Sequence, residues 1–176
     1  MSSSNLQHYN ISLLVEIQES IALLEQGKIP QVHQQLLEIR RKIRASLQIG
    51  GIWLFEPNRS LLDVYVESLH TEYDVKGFFQ YQELKIQLQQ AFDVQQKPLL
   101  LICSLTNNVQ LDLLPYLSQK EHEIRLFLTS GNIESLRLYK GQVSARLIPK
   151  PFSIQFLHAL VEQEIRMWEM SVCGFI

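Results

Sequence analysis

Four residues with chemically capable side chains each stand at or just after the end of a short apolar segment: Glu56, Cys103, Thr129 and Lys150. A carboxylate, a thiol, a hydroxyl and an ammonium group brought together could form a small-molecule site. Cys103 could act there as a nucleophile if Lys150 lowered its pKa. No motif places a histidine as a base, and no glycine-rich phosphate loop follows Glu56. These residues therefore indicate a binding crevice more than a catalytic centre.

The segments that carry these residues alternate with helical patterns from Gly51 onward. The run Leu99–Cys103 is apolar at every position, as the central strand of a parallel sheet requires. The alternation predicts an α/β fold, a doubly wound five-stranded parallel sheet covered by helices on both faces. The four residues would then meet in the crevice at the carboxyl ends of the strands. Ser60 and Ser153 are predicted to cap the helices after the first and fifth strands. The predicted strands are Ile52–Phe55, Val75–Phe79, Leu99–Cys103, Ile124–Leu128 and Ala145–Ile148.

The chain before residue 51 has a helical pattern throughout. Two apolar stripes are separated by Gly27 and Pro30, which suit a helix C-cap and the first turn of the next helix. We therefore predict an α-helical hairpin over residues 1–50 and an α/β domain over residues 51–176. The stripes need a second surface, which is either the following domain or the hairpin of a second chain. They consist of Leu14, Ile17, Ile21 and Leu24, then Val32, Leu36, Ile39, Ile43 and Leu47.

The composition limits the classes of partner. The 176 residues carry a formal net charge of −2, which gives no overall attraction to nucleic acid or to anionic membrane. The basic run Arg40–Arg44 has no helix-turn-helix pattern beside it, which argues against nucleic-acid binding. The two cysteines form no C-x-x-C pair, and the sequence contains neither a signal peptide pattern nor a segment apolar enough to span a bilayer. We expect a cytoplasmic protein.

Residues 51–172 resemble the receiver domain of bacterial response regulators, the CheY-like form of the flavodoxin-like fold. The resemblance rests on the order of the segments, on Lys150-Pro151 after the fifth strand, and on Thr129 at the hydroxyl position that ends the fourth. In that family the first strand ends in an acidic pair that binds magnesium, and this chain has Glu56 and Pro57 there. The third strand ends in the aspartate that accepts the phosphoryl group, and that position aligns with Cys103.

The differences at Pro57 and Cys103 imply a pseudo-receiver that is not phosphorylated. A single carboxylate is a poor magnesium site, and a thiol cannot form the acyl phosphate of the family. Lys150 would instead pair with Glu56 and substitute structurally for the metal. The resemblance thus implies no enzyme activity, no cofactor and no metal. It implies a regulatory protein–protein interaction module in signal transduction.

The resemblance also implies a partner-binding face, because receiver domains bind partners mainly through their fourth helix, fifth strand and fifth helix. The partner would be a histidine kinase, a transcription regulator or a motility component. The N-terminal helices would mediate homodimerisation or docking. The alternative is a small-molecule sensor or enzyme that uses the crevice at the carboxyl edge of the sheet, which Glu56, Cys103, Ser104, Thr129 and Lys150 would line. The candidate contacts on the partner-binding face are Leu136, Tyr139, Lys140, Arg146 and Gln155.

Overall fold

The computed structural model describes residues 15–46, 51–94, 96–118, 124–140 and 144–172. The chain forms two compact units, Met1–Ile49 and Gly50–Ile176. None of the helices in the described part of the chain is long and apolar enough to cross a membrane.

The first unit contains two helices, α1 over residues 15–25 and α2 over Ile29–Ser46. Gly27 lies between them with a φ of 70°, the left-handed conformation that glycine adopts without steric cost. Lys42 on α2 donates to Glu16 on α1 at 2.8 Å, and Gln35 donates to Glu19, so the helices run antiparallel. The predicted stripe residues Leu14 and Leu47 lie outside the described residues, and the side chain of Ile43 is likewise not described.

The second unit contains a five-stranded sheet in which every pair of neighbours is parallel, in the order β2-β1-β3-β4-β5. This confirms the predicted doubly wound parallel sheet. A π-helical turn, Val109–Leu113, leads directly into α5. The strands are β1 Ile52–Phe55, β2 Val75–Phe78, β3 Leu100–Ser104, β4 Arg125–Ser130 and β5 Ala145–Pro149. The helices are α3 Arg59–His70, α4 Tyr81–Asp93, α5 Leu114–Ser118, α6 Ile133–Arg137 and α7 Ile154–Val172.

The sheet separates two apolar cores, because successive side chains of a strand point to opposite faces. Helices α4, α5 and α6 cover one face and α3 and α7 the other. The face under α4, α5 and α6 receives strand residues Phe55, Leu101, Cys103, Leu126 and Leu128. The face under α3 and α7 receives Ile52, Leu54, Leu100, Ile102, Phe127 and Ile148.

Two predicted helix caps have different outcomes. Ser153 accepts from the amide of Phe156 at 3.1 Å, so its predicted capping role is confirmed. Ser60 does not cap α3, because the helix already begins at Arg59. Asn58 is the cap, and its side-chain oxygen accepts from the amide of Leu61 at 3.2 Å. Asparagine and serine serve equally well at this position, and Asn58 is the residue that directly precedes the first turn of α3.

Candidate functional site

Glu56 is buried at the carboxyl edge of the sheet, directly after β1. It is 3% exposed, and its amide donates to the carbonyl of Phe78 at 3.0 Å, which extends the β1–β2 pairing by one residue. The amide of Asn58 donates to Glu56 Oε1 at 3.1 Å. One carboxylate oxygen, Oε1, thus accepts a hydrogen bond from the backbone. The other, Oε2, can accept hydrogen bonds from side chains at the ends of the neighbouring strands.

Ser104 ends β3 and lies beside Glu56, because the register pairs Phe55 with Cys103. Its Oγ donates to Glu56 Oε2 at 2.5 Å. Ser104 also pairs with Thr129 of β4, and the two hydroxyl oxygens are 3.2 Å apart. Since the single proton of Ser104 goes to the carboxylate, Thr129 donates to Ser104.

Lys150 completes the cluster from the residue after β5. Its amide donates to the carbonyl of Ser130 at 2.7 Å, and the Lys150–Pro151 peptide bond is cis. Lys150 Nζ donates to Glu56 Oε2 at 2.5 Å and to Ser104 Oγ at 2.7 Å. The predicted Glu56–Lys150 ion pair is confirmed. The hydroxyl of Ser104 consequently uses its one donor and both of its acceptor positions within the cluster.

The prediction that Cys103 lies in this cluster is wrong. Its side chain belongs to the core on the opposite face of the sheet, where it is fully buried. The strand continues one residue beyond the predicted end, and a shift of one residue changes the face to which a side chain points. Burial raises the pKa of the Cys103 thiol. The alternative of a Cys103 nucleophile activated by Lys150 is therefore contradicted too.

The cluster does not fit a magnesium ion. Magnesium needs near-octahedral oxygen coordination with carboxylates supplying the charge. Here the single carboxylate, Glu56, already binds an ammonium group, and Pro57 supplies no side-chain oxygen. Elsewhere in residues 15–46, 51–94, 96–118, 124–140 and 144–172, no three His, Cys, Asp or Glu side chains come together as metal ligands.

The five residues of the predicted partner-binding face have different environments. Leu136 is 4% exposed and packs in the core, so its expected exposure is wrong: it is the position where the short helix α6 docks on the sheet. Tyr139 packs partly against the same core. Lys140 and Gln155 are exposed, and Arg146 is partly exposed and donates to Gln163 at 3.1 Å.

Comparison with known proteins identifies the fold. No protein-family model and no curated protein match the chain. A CheY-like receiver domain protein from Methanospirillum hungatei aligns with a TM-score of 0.58 and 15% identity, over 70% of this chain and 98% of that one. A response regulator from Thermotoga maritima aligns with a TM-score of 0.54 and 16% identity, over 67% and 98%. An orphan response regulator from H. pylori aligns with a TM-score of 0.51 and 19% identity, over 64% of this chain and 93% of that one. The second unit therefore has the predicted CheY-like receiver fold.

Proposed function

We propose that the protein is a pseudo-receiver, a regulatory module that signals by binding another protein and not by accepting a phosphoryl group. The observation that carries this proposal is the Glu56–Ser104–Lys150 cluster at the carboxyl edge of a receiver fold. The partner would be a kinase, a transcription regulator or a motility component of a signalling pathway.

The chemistry of the cluster supports this proposal. Phosphoryl transfer to a receiver requires a carboxylate that forms an acyl phosphate, with a divalent cation to balance the charge. Ser104 has a hydroxyl at the place where Glu56 and Lys150 meet, and that hydroxyl is engaged by three neighbours. Lys150 supplies positive charge next to Glu56 without a metal. A cluster closed in this way holds the strand ends in one arrangement.

An amide NMR titration with magnesium and beryllofluoride, a mimic of the acyl phosphate, tests this proposal. We expect the amides of Glu56, Ser104, Thr129 and Lys150 to show no saturable shift. The matched control is the double variant Pro57→Asp, Ser104→Asp, which should respond to magnesium. It adds a carboxylate next to Glu56 and a second one at Ser104, the residue of β3 that faces the crevice in place of Cys103. Saturable shifts of the unchanged protein at these four amides would overturn the proposal.

The N-terminal helices are proposed to mediate homodimerisation. Six large aliphatic side chains on α1 and α2 are exposed: Val15, Ile17, Ile21, Leu24, Ile29 and Leu36. Ile17, Ile21 and Leu24 follow one another at spacings of four and three, which places them on one helix face. Contiguous exposed apolar surface of this kind marks interaction sites in proteins, and the pattern suits a helix of a second chain.

Sedimentation equilibrium of the full chain tests the dimer. Ile21→Glu should shift a dimer toward monomer, because it places a charge in the middle of the apolar stripe. Ile86→Glu on α4 is the matched control, since Ile86 is 51% exposed and Ile21 52%. A monomeric unchanged protein, or equal dissociation by both variants, would contradict the dimerisation role.

A further inference from the structure

A second polar cluster lies at the opposite edge of the sheet from Glu56. A groove of about 360 Å³ opens there between the amino ends of β4 and β5 and helix α7. Arg125, Arg146 and Glu164 line it, together with Phe127 and Ser144. Its volume lies within the range of small-molecule pockets, which begins at roughly 300 Å³.

The register brings the two arginines together. Phe127 on β4 pairs with Arg146 on β5, and Arg125 lies two residues before Phe127. Residues two apart on a strand point to the same face, so both arginine side chains are directed toward α7. Glu164 on that helix accepts from Arg125, and its other oxygen is 3.9 Å from Arg146.

Among the described residues that line the groove, there is more positive than negative charge. Two guanidinium groups share the single carboxylate of Glu164, which is largely buried, with 12% of its side chain exposed. The guanidinium of Arg146 lies 5.9 Å from the ring centre of Phe127 and keeps 37% of its side chain exposed to the groove and solvent. A guanidinium has five N–H donors, and the contacts of Arg146 with Glu164 and Gln163 use only some of them.

We propose that this groove binds a small organic molecule through its carboxylate or phosphate group, with Arg146 and Arg125 as the binding residues. An anionic group would balance the excess charge, and a guanidinium group binds two oxygens of a carboxylate or a phosphate with paired, charge-assisted hydrogen bonds. The groove has room for more than a bare ion, because a water molecule takes up only about 30 Å³ of liquid volume. The proposal is independent of the pseudo-receiver function, since it uses the other edge of the sheet and other residues.

Titration of the full chain with inorganic phosphate and with succinate, followed by amide NMR, tests the site. We expect saturable shifts at residues 125–127 and 144–146, and the tighter of the two probes identifies the preferred anion. Arg146→Gln should weaken binding about tenfold, the scale of a charge-assisted hydrogen bond. Glu164→Gln should tighten it about fivefold, because it removes the competing carboxylate. A purely structural ion-pair cluster would not produce that gain.

Arg166→Gln is the control for the loss of one positive charge, because Arg166 lies on α7, pairs with Glu162 and does not line the groove. It should leave the affinity unchanged. If Arg146→Gln does not fold, Arg146→Lys keeps the charge, loses the paired geometry and should still weaken binding. Absence of saturable shifts with both probes, in the unchanged protein and in Glu164→Gln, would overturn the proposal. An equal loss of affinity in Arg166→Gln would do so as well.

Discussion

Lys150 Nζ lies 2.5 Å from Glu56 Oε2, although the two residues are 94 positions apart in the chain. Lys150 follows β5 at the edge of the sheet, and Glu56 follows β1 near its middle. Strands β3 and β4 lie between β1 and β5. Only 4% of the Glu56 side chain is exposed, against 20% for Lys150. The pair thus links strand ends that are distant in the sequence, and it buries a negative charge that needs its cation.

Removing the cation should destabilise the fold. Lys150→Met leaves the Glu56 carboxylate buried without its partner, and we expect the free energy of unfolding to fall by about 3 kcal/mol. Glu56→Gln should lower the free energy of unfolding by only about 1 kcal/mol, because the partly exposed ammonium of Lys150 can still reach water. Chemical denaturation at neutral pH measures both values.

The double variant Glu56→Gln, Lys150→Met separates the pair from its surroundings. Its loss of stability should be smaller than the sum of the two single losses, which gives a favourable coupling energy. Strictly additive losses would mean that the ion pair contributes nothing beyond the two side chains taken separately.

The thiol of Cys103 should be unreactive in the folded protein. Burial raises its pKa, and a thiol reagent attacks only an accessible thiolate. In the variant Cys173→Ser, which leaves Cys103 as the single cysteine, labelling with an aromatic disulfide reagent should follow global unfolding by denaturant. Rapid labelling under native conditions would contradict the position of Cys103 in the core.

The sequence was sufficient to predict the fold, because the information lies in local patterns. Short apolar runs alternate with amphipathic helices, and right-handed crossovers leave few ways to arrange such units. The run 99–103 was predicted as a central strand, and β3 does lie in the middle of the sheet. Its ends lie one residue further along the chain than predicted, because the polar residue Ser104 continues the strand after the apolar run.

That shift of one residue determined which side chains of the site were predicted correctly. Glu56 directly follows β1, Lys150 directly follows β5 and Thr129 is the penultimate residue of β4. These three predicted residues do come together around Ser104. The alignment put Cys103 at the phosphoacceptor position, but the alternation of side chains along β3 directs Cys103 to the other face of the sheet. A polar residue after a fully apolar run was the available signal, because a buried hydroxyl needs partners and the crevice provides them.

Gly51 should tolerate no side chain. A Cβ there would lie 2.4 Å from the carbonyl oxygen of Asp74, which accepts from the amide of Ile52 at 2.8 Å and begins the β1–β2 pairing. Because the obstacle is backbone, it cannot move aside. We expect Gly51→Ala to lower the free energy of unfolding by about 3 kcal/mol. Gly131→Ala is the matched control, since nothing lies within 4 Å of the added atom, and its effect should be close to zero.

The contact between α4 and the π-helical turn should make stability depend on pH. Asp112 accepts from Lys85 at 2.6 Å and from Tyr81 at 2.9 Å. The hydrogen bond from Lys85 lowers the pKa of the Asp112 carboxyl most, and the hydrogen bond from Tyr81 lowers it further. Because the pKa is lower in the folded state, the ionised carboxylate stabilises the fold at pH values above the pKa of the unfolded chain, which is about 4 for aspartate. This contribution is lost as the pH falls through the lower pKa of the folded state.

Asp112→Asn should therefore be less stable than the unchanged protein at pH 7, and the difference should shrink as the pH is lowered from about 4 toward 2. Denaturation curves at several pH values give both quantities. Asp63→Asn on α3 is the control: it removes a carboxylate of the same kind outside the contact with Lys85 and Tyr81, so it separates the effect of net charge from that of these hydrogen bonds. A stability difference for Asp112→Asn that stays constant down to pH 2 would show that the carboxylate contributes through packing rather than through its charge.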